Sequence, residues 1–324
     1  MSSKQRANPA NSASGPASST GVFARPTPPT GYPVTVSHVQ IAPLMEACFQ
    51  RQLERAASGE AFEAATSTDL GLSTVTVTLS AEGIHYPTGE ALSWSAARGI
   101  IGSPNQCFSI ESDIEGGAAQ AVARFSPTTN TLRSLMPTSG APTTLVSGFS
   151  MHRIKGTEPW ADSVAKAQAI APISGRTLDT TTGLGYTAIL AARSAAEVVT
   201  IELDPTALEI AQRNPWSHEL FDRPNIQRII GDAFEVVAEQ PAASFDRIIH
   251  DPPYLSLAGE LYSEEMYRRL YRALRKGGRL FHYIGDPRSA SGARTTAGVL
   301  RRLEAAGFQR IARRPDAFGV TATT

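Results

Sequence analysis

Apolar and polar positions follow two different rhythms along this chain, and the rhythm changes near residue 150. In the first half, Thr74-Val75-Thr76-Val77-Thr78-Leu79 alternates with a period of two, as a half-buried strand does. Ala81-Glu82-Gly83 turns it back into Ile84-His85-Tyr86, and Pro87-Thr88-Gly89-Glu90 turns it again. Ala121–Phe125 and Thr131–Leu135 flank Ser126-Pro127-Thr128-Thr129-Asn130 as a further hairpin. Leu44, Ala47, Cys48, Arg51 and Leu53 recur at helical spacing, which predicts a helix within residues 40–65. Residues 34–150 therefore read as a small, β-rich α+β domain. Residues 1–33 are rich in Ser, Ala, Pro, Thr and Asn and poor in apolar side chains. Such a composition cannot offset its ordering entropy, so a disordered segment is expected there.

From residue 151 onward, short β-rich runs alternate with helical stretches. The strands are expected near Thr177–Asp179, Val198–Glu202, Ile226–Ile230, Arg247–His250, Arg279–Ile284, Gln309–Ala312 and Gly319–Ala322. Asp204-Pro205 marks a helix start, and Lys276-Gly277-Gly278 is read as a helix stop. Alternation at this spacing predicts an α/β fold: a doubly wound, mostly parallel, seven-stranded sheet over residues 151–324. Such sheets take ligands at the C-terminal tips of their strands.

Composition narrows the field only a little. No apolar run reaches the roughly 20 residues of a membrane helix, and Cys48 and Cys107 stand far apart without metal-type spacing. A reducing compartment is expected, the cytoplasm first. Delivery to an organelle is the alternative, because no acid precedes Glu46. Net charge is zero, yet residues 268–324 hold thirteen Lys or Arg against three acids. Positions 268, 272 and 275/276 share one helix face, which could track a phosphate backbone. The alternative is a set of solvated helix faces.

The chemistry concentrates between Leu178 and Tyr254. Asp179-Thr180-Thr181-Thr182-Gly183-Leu184-Gly185-Tyr186 is a glycine-rich turn between strand and helix, so its backbone N–H groups can approach a ligand closely. A dinucleotide site aims such a turn at an anionic pyrophosphate, and Asp179 would repel it. S-adenosyl-L-methionine (SAM) carries an ammonium and a sulfonium instead, and a carboxylate suits both. Glu202, followed by Leu203, ends the second strand, where a carboxylate can accept both ribose hydroxyls. Asp232 follows the third strand, placed to accept from the adenine amino group, and Ala233 would offer its backbone N–H to the ring. Lys155 or Arg153, in the loop joining the halves, can reach the carboxylate of the cofactor. Asp251-Pro252-Pro253-Tyr254 follows the fourth strand. There the Asp251 carboxylate and the Pro252 carbonyl can hold the two N–H groups of a planar amine, the prolines stiffen the backbone, and Tyr254 can stack on the ring. His250 and His282 fall at no metal-ligand spacing and are read as core histidines, and no metal is expected. Trp216 is read as core.

With these residues in order, residues ~150–324 resemble a class I SAM-dependent methyltransferase of Rossmann-like fold. More narrowly, the chain is similar to a group of methyltransferases best known from archaea. The runs that match are Met151–Trp160, Leu178–Ile189, Asn214-Pro215-Trp216-Ser217, Ile249–Tyr254 with Ser256–Glu265, and Gly278–Tyr283. The resemblance implies RNA modification, with cytidine N4 of ribosomal RNA as the target. It also implies a cofactor site of Asp179, Thr181, Gly183, Gly185, Tyr186, Glu202, Leu203, Asp232 and Ala233. Asp251, Pro252, Pro253 and Tyr254 would then be catalytic. Asp rather than Asn at position 251 is shared with enzymes that methylate adenine or guanine amines. A small-molecule or protein amine as acceptor, or a non-catalytic binding subunit, remain the alternatives.

Overall fold

The computed structural model describes residues 21–54, 60–111, 118–253, 255, 258–286 and 288–324. The second unit is organised on one seven-stranded sheet: β1 Arg176–Asp179, β2 Glu197–Glu202, β3 Ile226–Ile230, β4 Phe245–His250, β5 Leu274–Tyr283, β6 Gln309–Arg314 and β7 Gly319–Thr323. Their order is β3-β2-β1-β4-β5-β7-β6. β1 to β5 run parallel, and β7 is antiparallel to both β5 and β6. The strand sequence reverses between β1 and β4, which is where open α/β sheets generally take their ligands.

Alternation along each strand builds two cores. Val198, Ile249 and Phe281 join one cluster, whereas Leu178, Val199, Ile248, Leu280 and Val320 join the other. Helices α1 Pro159–Ala169, α2 Tyr186–Ala192 and α3 Pro205–Gln212 supply the first core with Trp160, Ile189 and Ile210. Helices α5 Ala233–Glu239, α6 Glu264–Ala273 and α7 Ala290–Ala305 supply the second with Val237, Leu270 and Val299, and the short α4 His218–Asp222 adds Leu220 to the first. Each such buried side chain contributes roughly 2 kcal/mol. Asp204 caps α3, accepting from the Thr206 N–H at 3.0 Å with Pro205 behind it, as expected.

The first unit contains antiparallel sheets of three, four and four strands. The hairpin of Ala123–Ser126 and Thr131–Met136 docks on α3: Arg133 Nε lies 2.6 Å from Asp204 Oδ2, and the Thr129 hydroxyl donates to the same oxygen at 2.9 Å. Leu70, Val122 and Leu135 enter the first core beside Trp216.

Three expectations need correction. The helix expected within 40–65 spans His38–Glu54, and Phe62–Thr66 is a strand, because Phe62, Ala64 and Thr66 alternate against Val75–Leu79. Lys276-Gly277-Gly278 does not stop a helix: α6 ends at Ala273, and the glycine pair lies inside β5, where Gly277 has φ +75°. Of the segment expected to be disordered, residues 1–20 lie outside the described residues, but residues 21–33 pack on the second unit. Phe23 lies against the first core, Arg25 stacks over Trp216, and Arg193 donates to the Val22 and Ala24 carbonyls. A few anchors suffice to hold a proline-rich strap whose backbone has little entropy to lose.

Candidate active site

β1 and β4 are adjacent, with Asp179 opposite Ile249, so the glycine-rich turn and the Asp-Pro-Pro run leave the sheet side by side. Two bonds lace them. The Thr180 N–H donates to the Ile249 carbonyl at 3.0 Å, and the Thr181 hydroxyl donates to the Asp251 carbonyl at 2.7 Å.

The two glycines do different work. Both have left-handed φ, +53° at Gly183 and +77° at Gly185. Nothing lies within 4 Å of where a Cβ on Gly183 would stand, so the backbone there is open to a ligand. A Cβ on Gly185 would stand 2.6 Å from Leu220, so that glycine serves packing.

Glu202 anchors the turn. Its Oε2 accepts the Gly183 N–H at 2.8 Å and its Oε1 the Asp204 N–H at 3.1 Å. Burial raises its carboxyl above the ordinary value, against the pull of those two donors. Beside it stand two apolar side chains without cover, Leu203 at 51% exposure and Ile230 at 49%. Ile230 pairs with Glu202 across β2 and β3, so both flank the same tip. Asp232 is exposed and caps α5, accepting from the Phe234 N–H at 2.8 Å; Ala233 is buried as the first residue of that helix.

Asp179 sits beneath the turn, wholly buried. Thr187 donates to its Oδ1 at 3.1 Å and Thr200 to its Oδ2 at 2.7 Å. Burial pushes its carboxyl up to about 7, with the two hydroxyls pulling down and Asp251 and Glu202 pushing further up. Its influence on a ligand is therefore a matter of field rather than contact.

Tyr186 was expected to line the cofactor site, and its side chain does not. It is 1% exposed, its hydroxyl donates to the Pro142 carbonyl at 2.8 Å and accepts from Asn214 at 2.9 Å. Tyr186 is the pin between the two units. Lys155 is exposed. Its alternative, Arg153, is committed elsewhere: it meets Asp162 at 2.8 Å, donates to the Asp316 carbonyl and stacks on Phe318.

Asp251, just past β4, keeps 20% of its side chain exposed. Its Oδ2 lies 2.6 Å from Lys166 Nζ. Burial raises the Asp251 carboxyl, and the Lys166 ammonium opposes that rise. Lys166 is 3% exposed and also lies 2.9 Å from Asp162 Oδ2. Burial disfavours its ammonium, but the carboxylates of Asp251 and Asp162 outweigh this and hold it above its ordinary value. Pro252 is buried, and the Pro253 carbonyl accepts from the Tyr262 hydroxyl at 3.1 Å. Tyr254 lies outside the described residues.

Both histidines are core groups. His250 bonds Thr180 and the Leu261 carbonyl, and burial lowers it to about 4. His282 bonds Tyr267 and the His250 carbonyl, and burial lowers it too. Trp216 is fully buried and donates to the Leu70 carbonyl. Among the described residues no group of His, Cys, Asp and Glu could hold a metal, and no helix is long and apolar enough to cross a membrane.

The expected cationic face of α6 is largely committed to structure. Arg272 donates to the Val237, Ala238 and Gln240 carbonyls, closing the end of α5. Arg269 stacks on Phe234; Arg275 and Lys276, expected on the same helix face, lie instead in β5, where Arg275 pairs with Asp246. Among the described residues Arg268 pairs with Glu264, one turn away.

Sequence reasoning missed Ile230 and the Asp162–Lys166 pair. The pair had a signal, opposite charges four residues apart on an apolar helix, but i,i+4 pairs usually face water. The apolar residue ending an edge strand before Gly231-Asp232 was the signal for Ile230.

Residues 144–290 match the family described as Methyltransferase small domain. This part of the chain is thus similar to the methyltransferase small domain family. An uncharacterised protein of Methanocaldococcus jannaschii is 47% identical over 190 residues, 58% of this chain and 65% of that protein. A ribosomal protein uL3 glutamine methyltransferase of Bordetella pertussis is 34% identical over 116 residues, 35% of each chain. The chain thus spans less than two thirds of the length of either relative. The spermidine synthase of Thermotoga maritima superposes with a TM-score of 0.50 at 18% identity, over 65% of this chain and 76% of that one, a likeness of fold alone.

Proposed function

We propose that the protein is a SAM-dependent N-methyltransferase acting on an exocyclic amino group of a nucleobase in RNA, with cytidine N4 of ribosomal RNA the first target to test. The observation that carries this reading is the lacing of the Gly183 turn to Asp251 through Thr180 and Thr181, which sets a cofactor cradle beside an acceptor carboxylate.

The chain fits the cofactor. The backbone at Gly183 is open to close approach, and Glu202 keeps lone pairs for ribose hydroxyls beyond its two backbone donors. Leu203 and Ile230 offer apolar faces for a flat ring, and Asp232 an acceptor at its edge. Lys155 is free to meet a carboxylate. Bound there, SAM supplies a methyl group on a sulfonium, so N–C bond formation leaves the electron pair of the broken S–C bond on sulfur. The residues of this chain do the rest. Asp251 and the Pro252 carbonyl would orient the amine and Asp251 would take its surplus proton, while Pro252 and Pro253 spare the backbone reorganisation. Tyr254 is proposed to stack on the base. The strand order suits the Rossmann-like class I arrangement.

The commitment of Arg269, Arg272 and Arg275 to structure favours a second reading, in which the acceptor is a small-molecule or protein amine. Incubation of the protein with methyl-labelled SAM and either total RNA or a metabolite extract separates the two. Label in nucleosides supports the first, and label confined to metabolites or protein refutes it.

A further inference from the structure

The Asp162–Lys166 pair has no counterpart in the expected site, and it touches the acceptor carboxylate. Lys166 lies on α1 and reaches under β4, with its Nζ 2.6 Å from Asp251 Oδ2, 2.9 Å from Asp162 Oδ2 and 4.6 Å from the centre of the Tyr283 ring. Asp162 is in turn met by Arg153 at 2.8 Å. Two cations and two carboxylates thus form one chain of contacts, and its net charge is zero. A buried ammonium so placed is costly, and only its partners make it tolerable.

We propose that Lys166 restricts the acceptor site to neutral, planar amines and excludes protonated alkylamines. This rests on the reading of Asp251 as the acceptor carboxylate and names the class of amine it takes. The reasoning is electrostatic. With Oδ2 held by Lys166, Oδ1 is left to accept an N–H, and it accepts none from the described residues. A neutral amine can use that oxygen and, once methylated, give its surplus proton to the carboxylate. A protonated alkylamine finds the negative charge already balanced, and its own charge would stand a few ångströms from a buried ammonium. It also has no lone pair until it has lost a proton, and the Lys166 charge makes Asp251 a weaker base for taking it. At an effective dielectric constant near 20, repulsion over about 5 Å weakens binding roughly a hundredfold.

Lys166 is here a positioning residue, and its test needs readouts that a merely structural role would not move. The groups facing Asp251 are Lys166, Asp162 and, across β1, Asp179. In the Lys166→Gln variant the acid limb of the pH–rate profile should move up by about one unit or more, because the Asp251 carboxylate loses its ammonium. Spermidine, without effect on the wild type at moderate salt, should become a competitive inhibitor against the acceptor. Lys166→Arg, which keeps the charge, should restore both properties. SAM binding by calorimetry should stay within a few-fold in both variants. Should Lys166→Gln fail to fold, binding of spermidine by the wild type decides alone: no detectable binding supports the inference, and tight binding or methylation of spermidine overturns it. An unmoved pH profile in folded Lys166→Gln also overturns it. A wild type that methylates a neutral arylamine but no nucleic acid refutes the nucleobase reading and leaves this inference standing.

Discussion

Replacing Asp179 with Asn should make the unliganded protein more stable at neutral pH while weakening its hold on SAM. The carboxyl is wholly buried, and burial lifts it from 3.8 to about 7. Between these values the folded chain keeps a proton that the unfolded chain has released. Stability contributed by this group therefore falls as pH rises through that window and is level above it. A shift of about three units at about 1.4 kcal/mol each sets a ceiling near 4 kcal/mol. Asn carries no charge at any pH and escapes the loss. Its one oxygen keeps one of the two threonine donors, and its NH2 turns the other hydroxyl into an acceptor, at a cost of about 2 kcal/mol. The expected net at pH 8 is about 2 kcal/mol in favour of Asp179→Asn, crossing zero near pH 5 and reaching about 1 kcal/mol against it at pH 4.5. Urea unfolding of both proteins without ligand, at pH 4.5 and pH 8, measures it. The same field should make SAM affinity of the wild type rise with pH up to about 7, and that slope should be absent in the variant. If the stability difference does not change with pH, or if Asn is the less stable at pH 8, the account of Asp179 as a strained buried acid is wrong.

Three further outcomes follow from the same geometry. Gly185→Ala should cost about 2 kcal/mol, from left-handed φ plus the Leu220 contact, whereas Gly183→Ala should cost about 1 kcal/mol and chiefly weaken SAM; thermal melts with and without SAM separate them. Glu202→Gln should lower SAM affinity at least about tenfold, since the amide offers only one acceptor oxygen to the turn and the ribose; calorimetry showing unchanged affinity would remove Glu202 from the cofactor site. Arg272→Ala should lower stability by about 1–2 kcal/mol by uncovering three carbonyls at the end of α5, with hydrogen exchange rising first at Gln240; protection that stays level would refute that capping role.

The second unit was legible because its strands carry β-branched runs at regular spacing, and the expected Ile226–Ile230 strand matches the observed one residue for residue. The tips of β1, β2 and β4 were legible as well, since glycines and lone carboxylates stand out against apolar strands. What escaped was whatever depends on the third dimension. Tyr186 stands three residues from Gly183, the open point of the glycine turn, yet its side chain faces away, toward Pro142 of the other unit. Residues 268, 272 and 275/276 share a face by helical spacing, but α6 ends at Ala273, and carbonyls at the end of α5 claim Arg272. Lys166 sits 85 residues from Asp251 in sequence, and only the packing of α1 against the sheet brings them together.

The central claim is that Asp251 delivers a planar nucleobase amine to a methyl group held over the Gly183 turn. Its most direct test is mass spectrometry of nucleosides from RNA incubated with deuteromethyl-SAM and either the wild type or Asp251→Asn, with SAM binding by both checked beforehand. A deuteromethylated amino-nucleoside with the wild type, and none with a variant that still binds SAM, is the predicted result. Equal labelling by both proteins, or label on a carbon or ribose oxygen, contradicts the account.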